Sequence, residues 1–283
     1  MIRTLILMLF TYFFFHLHAS GNLTKYINMK YSYLSYTAMW ILGVLTVVQA
    51  YYYLKDSDST GCSSEGCCNH DHDHDHEQNK PWYKRIFIYT IFIFPLISGF
   101  FFPIATLDST IVKSKGFSFK ALETNDQYAQ TQYLKPDTSV YYGKEGYDEL
   151  MNQELKNYID KENIALKDKD FLKGMETIYQ FPGEFTDKTI EFDGFAFKGE
   201  SISKKQIFVL RFGVIHCIAD SGAFGMLVEF PEETKIQDDQ WLHVKGKLTT
   251  KYYQPFKANI PVLKVEKWDN IDQPGDPYTY RTY

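Results

Sequence analysis

The sequence predicts a membrane-anchored α + β protein, in which N-terminal transmembrane helices precede a small soluble β-barrel of the oligonucleotide/oligosaccharide-binding (OB-like) type. Three observations predict it. Apolar stretches of spanning length crowd the first 107 residues. Aromatic residues make up 17% of the 283 positions, with 22 Tyr and 23 Phe, far above what a soluble enzyme of this size needs. Beyond residue 171 the pattern changes to short strand-like runs separated by Gly and Pro.

The first predicted span covers residues 2–18. Ile2 to Leu17 is apolar apart from Arg3, Thr4, Thr11 and His16, a little short unless its flanks snorkel. The same stretch could serve as a signal peptide, with Leu17-His18-Ala19 as an imperfect cleavage site. A retained helix is preferred, because a leucine occupies the position three before the cut and only Arg3 supplies the basic start. The second span, 33–54, carries no charge. Tyr31, Tyr33, Tyr36 and Trp40 mark one end and Tyr51, Tyr52 and Tyr53 the other, as interfacial aromatics do. The third, 86–107, is announced by Trp82, Lys84 and Arg85, and Pro95 with Ser98-Gly99 is expected to kink it.

The loop 55–83 between the second and third spans holds the densest chemistry. Residues 62–77 read CSSEGCCNHDHDHDHE and hold three of the four cysteines and four of the eight histidines. In an extended chain His70, His72, His74 and His76 share one face while Asp71, Asp73 and Asp75 share the other. With Cys62, Cys67 and Cys68 they form a donor set suited to Zn2+, with copper or nickel as competitors. No fixed zinc-finger spacing is present, so the site is expected to exchange its metal and to release it when the imidazoles protonate. A solvated polar repeat is the alternative reading.

Residues 108–170 read as a linker with one short amphipathic helix, in which Leu150, Met151, Leu155 and Tyr158 fall at helical spacing. The barrel domain is assigned to 171–283, with strands at 174–181, 189–197, 206–216, 225–230, 241–250 and 259–268. The terminal QPGDPYTYRTY is expected to pack along it. From Phe171 onward there are 14 Lys plus Arg against 16 Asp plus Glu, so the electrostatic footprint of a nucleic-acid binder is absent. Within Arg211 to Asp220, RFGVIHCIAD, the residues His216, Cys217 and Asp220 offer three metal-ligand types, and His243 could converge on them. Against this, neighbouring strand residues face opposite ways, and Cys217 reads equally well as a small buried hydrophobe. No phosphate loop, nucleophile elbow or zincin motif is present, and no enzymatic activity is expected.

Charge on the two sides of the spans is balanced, with Arg3, Lys55, Lys80, Lys84 and Arg85 on one side and Lys25, Lys30, Lys113, Lys115 and Lys120 on the other. Free thiols favour the reducing cytosol. A multi-pass protein of the cell membrane is therefore expected, with the histidine loop cytoplasmic and the C-terminal domain extracellular.

The run Arg211 to Asp220, the strand Trp241-Leu242-His243-Val244-Lys245-Gly246, the segment Ile260 to Lys267 and the ending Pro277 to Tyr280, with a weaker match at Ser20 to Ile27, resemble the YcgQ-type two-component membrane permease subunits of bacteria. The family strand usually carries adjacent cysteines where this chain has His216 and Cys217. The resemblance implies an accessory subunit that works with a separate polytopic permease, and a link to zinc or other divalent metal. Two further classes compete. A membrane-anchored module binding a glycan or peptide requires an aromatic groove, and an enzyme requires His216, Cys217 and Asp220 to converge in a pocket.

Overall fold

The computed structural model describes residues 2–58, 82–102, 109, 112, 139–199, 203–256 and 258–281. The chain divides into two compact units, Met1–Ala105 and Thr106–Tyr283.

The first unit is helical. Helices α1 (Ile2–Ala19), α2 (Ser32–Asp58) and α3 (Trp82–Phe101) are each long and apolar enough to cross a membrane. Two short 3-10 turns, Asn22–Lys25 and Met29–Tyr31, reverse the chain between α1 and α2. Asn28 caps the second turn by accepting a hydrogen bond from the Lys30 N–H (3.1 Å). Aromatic contacts join α1 to α3, with Phe100 against Tyr12 (5.9 Å between centroids) and edge-on to Phe13 (5.4 Å). Gly99 lies so close to the Phe13 ring that a Cβ there would force the ring to move. Helix α3 runs through Pro95.

The second unit is a sheet with helices against it. After α4 (Ser139–Lys156) come β1 (Asn163–Leu166), α5 (Phe171–Gln180), β2 (Thr189–Phe197), β3 (Gln206–Val214), β4 (Gly222–Glu229), β5 (Trp241–Tyr253), β6 (Ala258–Asn270) and β7 (Tyr278–Tyr280). The strand order is β1-β2-β5-β6-β4-β3-β7, and β2 also pairs with β3 through Phe195 to Phe197. Pairings β1–β2, β4–β6 and β3–β7 are parallel, and the others are antiparallel.

Three expectations change. The sheet has seven strands and ends in two edges, so it is not the simple closed barrel of five or six strands that the sequence suggests. Of residues 174–181, read as a strand, 174–180 belong to helix α5 and Phe181 caps it. Phe171, Leu172, Met175 and Ile178 recur at helical spacing, and all four are buried in one core cluster with Phe192, Val209 and Val244; the stripe begins before Gly174 and so escapes a window that starts there. The third concerns the linker: β1 lies inside the span 108–170, whereas the terminal segment packs on the sheet as expected, with Tyr278–Tyr280 forming β7 on β3.

Strand β3 shows why the run IFVLRFGVI is, Arg211 apart, apolar rather than alternating. Ile207 and Val209 enter the core facing α5, while Phe208, Leu210 and Phe212 enter a second cluster with Val112, Tyr253, Ile260 and Tyr278. Both faces are covered, so both are apolar. Beside it, β5 and β6 shift register between Lys245 and Gly246. Gly246 sits against the Lys264 backbone so tightly that a Cβ would meet its carbonyl oxygen, which is what a glycine at such a close approach is for.

Candidate functional site

Strand β3 stops at Val214, and the chain then makes the 3-10 turn Ile218–Asp220. Asp220 organises this turn. Its carboxylate accepts hydrogen bonds from the backbone N–H groups of His216 (3.0 Å) and Cys217 (2.9 Å), and the His216 Nδ1 lies 2.7 Å from its Oδ2. Asp220 is thus spent on the turn and on orienting an imidazole. Among the described residues no group of three or more His, Cys, Asp or Glu is arranged to hold a metal ion. Cys217 is a free, half-buried thiol.

His243 does not join them. It lies on the β2–β5 ladder opposite Asp193, with Nδ1 2.6 Å from the Asp193 carboxylate. Two residues along, Lys245 pairs with Glu191 at 2.7 Å. The ladder is a half-exposed row of polar cross-strand pairs that ends in Phe195 against Trp241. The seven loop ligands Cys62, Cys67, Cys68, His70, His72, His74 and His76 lie outside the described residues.

Two arginines, Arg211 and Arg281, are buried in the sheet domain, and the sequence reading assigned neither a role. Arg211 is 1% exposed, and its guanidinium lies between the rings of Phe171 (5.6 Å) and Trp241 (5.7 Å). One Nη bonds Asp168, a carboxylate that is itself 75% exposed, while Nε and Nη2 have no hydrogen-bond partner among the described residues. The planar, weakly hydrated guanidinium tolerates such a sandwich where an ammonium would not. Arg281 is equally buried and pairs with buried Glu176 of α5 at 3.3 Å. Its backbone N–H donates to the Val214 carbonyl, which continues the β3–β7 ladder. The signal for Arg211 was a lone charge inside an apolar strand. Such a charge needs a partner from elsewhere in the fold.

In the helical unit, His18 Nε2 lies 2.7 Å from Ser35 Oγ and its ring meets Tyr36 edge-on, a polar tie between α1 and α2. Below it runs an apolar groove of about 600 Å3 lined by Met8, Tyr12, Phe15, Met39 and Trp40.

Comparison with known proteins agrees over the whole chain. Residues 2–118 match the DUF1980 N-terminal domain, and residues 141–281 match the DUF1980 C-terminal domain. The chain is 61% identical over 285 residues to the UPF0703 protein YcgQ of Bacillus subtilis, covering all of both chains. It is 35% identical over 289 residues, again covering all of both, to a Streptococcus mutans protein named "Putative two-component membrane permease complex subunit". This chain therefore belongs to the DUF1980 family, in the YcgQ-type group that its own motifs resemble.

Proposed function

We propose that this protein is the accessory subunit of a two-component membrane permease complex. The observation that carries the reading is the full-length likeness to the Streptococcus mutans protein, whose name makes it a subunit of such a complex. The three apolar helices support it. Three helices do not by themselves enclose a transport path, so the path belongs to a polytopic partner on which they dock. No catalytic role is assigned to the chain. Purification from native membranes in a non-ionic detergent is expected to bring down one polytopic membrane protein at a constant ratio. Recovery of the chain alone under conditions that preserve other membrane complexes overturns the proposal.

The finer parts of the reading rest on the residues themselves. Within the sheet, β2, β5, β6, β4 and β3 are neighbours in series and β3 pairs back to β2, which supports an OB-like arrangement of these five strands. The histidine loop concentrates Zn2+ or another divalent metal at the cytoplasmic side, and the sheet domain lies outside the cell. Changing His70, His72, His74 and His76 to Asn is expected to abolish most of the zinc uptake seen by calorimetry at neutral pH; an unchanged titration removes metal from the proposal. A cysteine replacing Glu65, in a chain without native cysteines, is expected to be shielded from an impermeant thiol reagent while one replacing Lys205 reacts. The reverse pattern inverts the topology.

A further inference from the structure

Arg211 lies within β3, buried between the first residue of α5, Phe171, and the first residue of β5, Trp241. Its ion pair runs through Nη1 to Asp168, in the turn between β1 and α5. The two nitrogens without a partner among the described residues are Nε and Nη2. Their N–H bonds run parallel along one edge of the guanidinium, the edge that takes both oxygens of a carboxylate at once. An arginine keeps its charge at every pH the protein meets. Two buried donors without acceptors call for an explanation, and packing alone would be served as well by an apolar side chain of similar size.

Three observations select the acceptor. The guanidinium lies over the Phe171 and Trp241 rings, 5.6 and 5.7 Å from their centroids. A planar carboxylate extends the guanidinium plane and stays within that layer, whereas a tetrahedral oxyanion sets oxygens against the electron-rich ring faces. Phe171 opens α5, a helix of ten residues whose N-cap Asp170 makes no side-chain cap bond, so the positive end of a helix adjoins the guanidinium. The turn 167–170 is closed by the Asp170 N–H donating to the Lys167 carbonyl (2.8 Å), and all four of its residues are exposed. Lys167 and Lys169 match Asp168 and Asp170 in number, so the turn sets no net charge against an incoming anion.

We propose that Arg211 anchors a carboxylate site: the turn 167–170 lifts, Asp168 leaves Nη1, and the carboxylate of a small organic acid takes the Nε and Nη2 edge between the two rings. Asp168 is then a built-in competitor, which answers the buried charge while no acid is bound. The site stands on the sheet domain alone and does not depend on the permease reading.

The test titrates the full chain in non-ionic detergent with sodium acetate, at an ionic strength held constant with chloride, and follows the Nε–H magnetic resonance of Arg211, assigned by its absence in Arg211→Lys. A saturating downfield shift is expected. Arg211→Lys keeps the charge without the fork and is expected to lose about tenfold or more in acetate binding, read from the acetate-dependent rise in unfolding temperature. Asp168→Asn removes the competitor and is expected to tighten binding about fivefold, the scale of one exposed ion pair. Sulfate under the same conditions is expected to bind more weakly than acetate. A resonance that does not move, acetate binding unchanged in Arg211→Lys, Asp168→Asn binding no tighter than the parent, or sulfate binding as tightly as acetate each overturns the proposal.

Discussion

Helix α2 and strand β3 are both rich in apolar side chains, and they place them in opposite ways. In β3 eight of nine residues are buried. In the membrane-length window of α2 none is, and Val47 is 69% exposed and Trp40 61%. Hydrophobicity alone does not decide where a residue goes; the solvent outside the element does. The sheet domain hides apolar area from water. The helical unit presents it outward, as suits a hydrocarbon surround in which only intra-helix hydrogen bonding is required of the backbone.

That contrast can be broken most severely at the buried ion pair of the sheet domain. Replacing Glu176 with Ala removes the buried carboxylate that Arg281 pairs with, and the loss is expected to be about 3–5 kcal/mol in denaturant unfolding of the sheet domain. Restoring balance with an apolar pair, Glu176→Leu with Arg281→Met, is expected to recover most of it. If the single change leaves the unfolding midpoint in place, the pair is not what holds β7 to α5.

A somewhat smaller effect is expected from Val47→Asp in α2. In water a substitution at so exposed a position shifts stability by no more than about 0.5 kcal/mol. At the centre of a membrane helix it costs roughly 3 kcal/mol of insertion. Alkaline carbonate extraction of membranes measures the difference, with the variant moving into the soluble fraction. A variant that remains as membrane-bound as the parent shows that this face of α2 is not turned to lipid.

The smallest expected effect is pH-dependent and lies on the sheet surface. Burial works to raise the Glu229 carboxyl, but hydrogen bonds from Lys251 and Gln206 and the charges of Lys251 and Lys264 outweigh it and hold it below its ordinary 4.5. A depressed folded value means that the contribution is present above the unfolded value and is lost as pH falls through the folded one. Lys251→Met is therefore expected to lower the unfolding midpoint slightly at pH 7 and to flatten its decline below about pH 4.5. A variant whose acid limb is as steep as the parent's assigns that limb to other carboxylates.

How much of this was legible in the sequence follows from how local each signal is. The limits of β2, Thr189–Phe197, coincide with those read from alternation and flanking turns, and α1 and α2 lie within a few residues of their apolar runs. Strands β1 and β7 were missed because four and three residues carry too little pattern, and each exists only through a partner distant in the chain. The candidate site was legible in part. RFGVIHCIAD contains the turn that Asp220 organises, but His216 and Cys217 lie beyond the end of β3 at Val214, so the alternation of strand side chains does not govern them. The sequence could not show that Asp220 would turn back onto their N–H groups, nor that Phe171 and Trp241, from two other elements, would enclose Arg211.

The parallel pairing of β7 with β3 also sets an order in time. Phe212 waits for Tyr278, and Arg281 reaches Glu176 across more than a hundred positions. At ribosomal rates of about 5–20 residues per second, the edge of β3 stands uncovered for several seconds after β3 itself emerges. Contacts so distant along the chain also form late in folding. During synthesis Phe212 to Val214 stand open to wrong strand partners, and β7 is the segment whose arrival covers them.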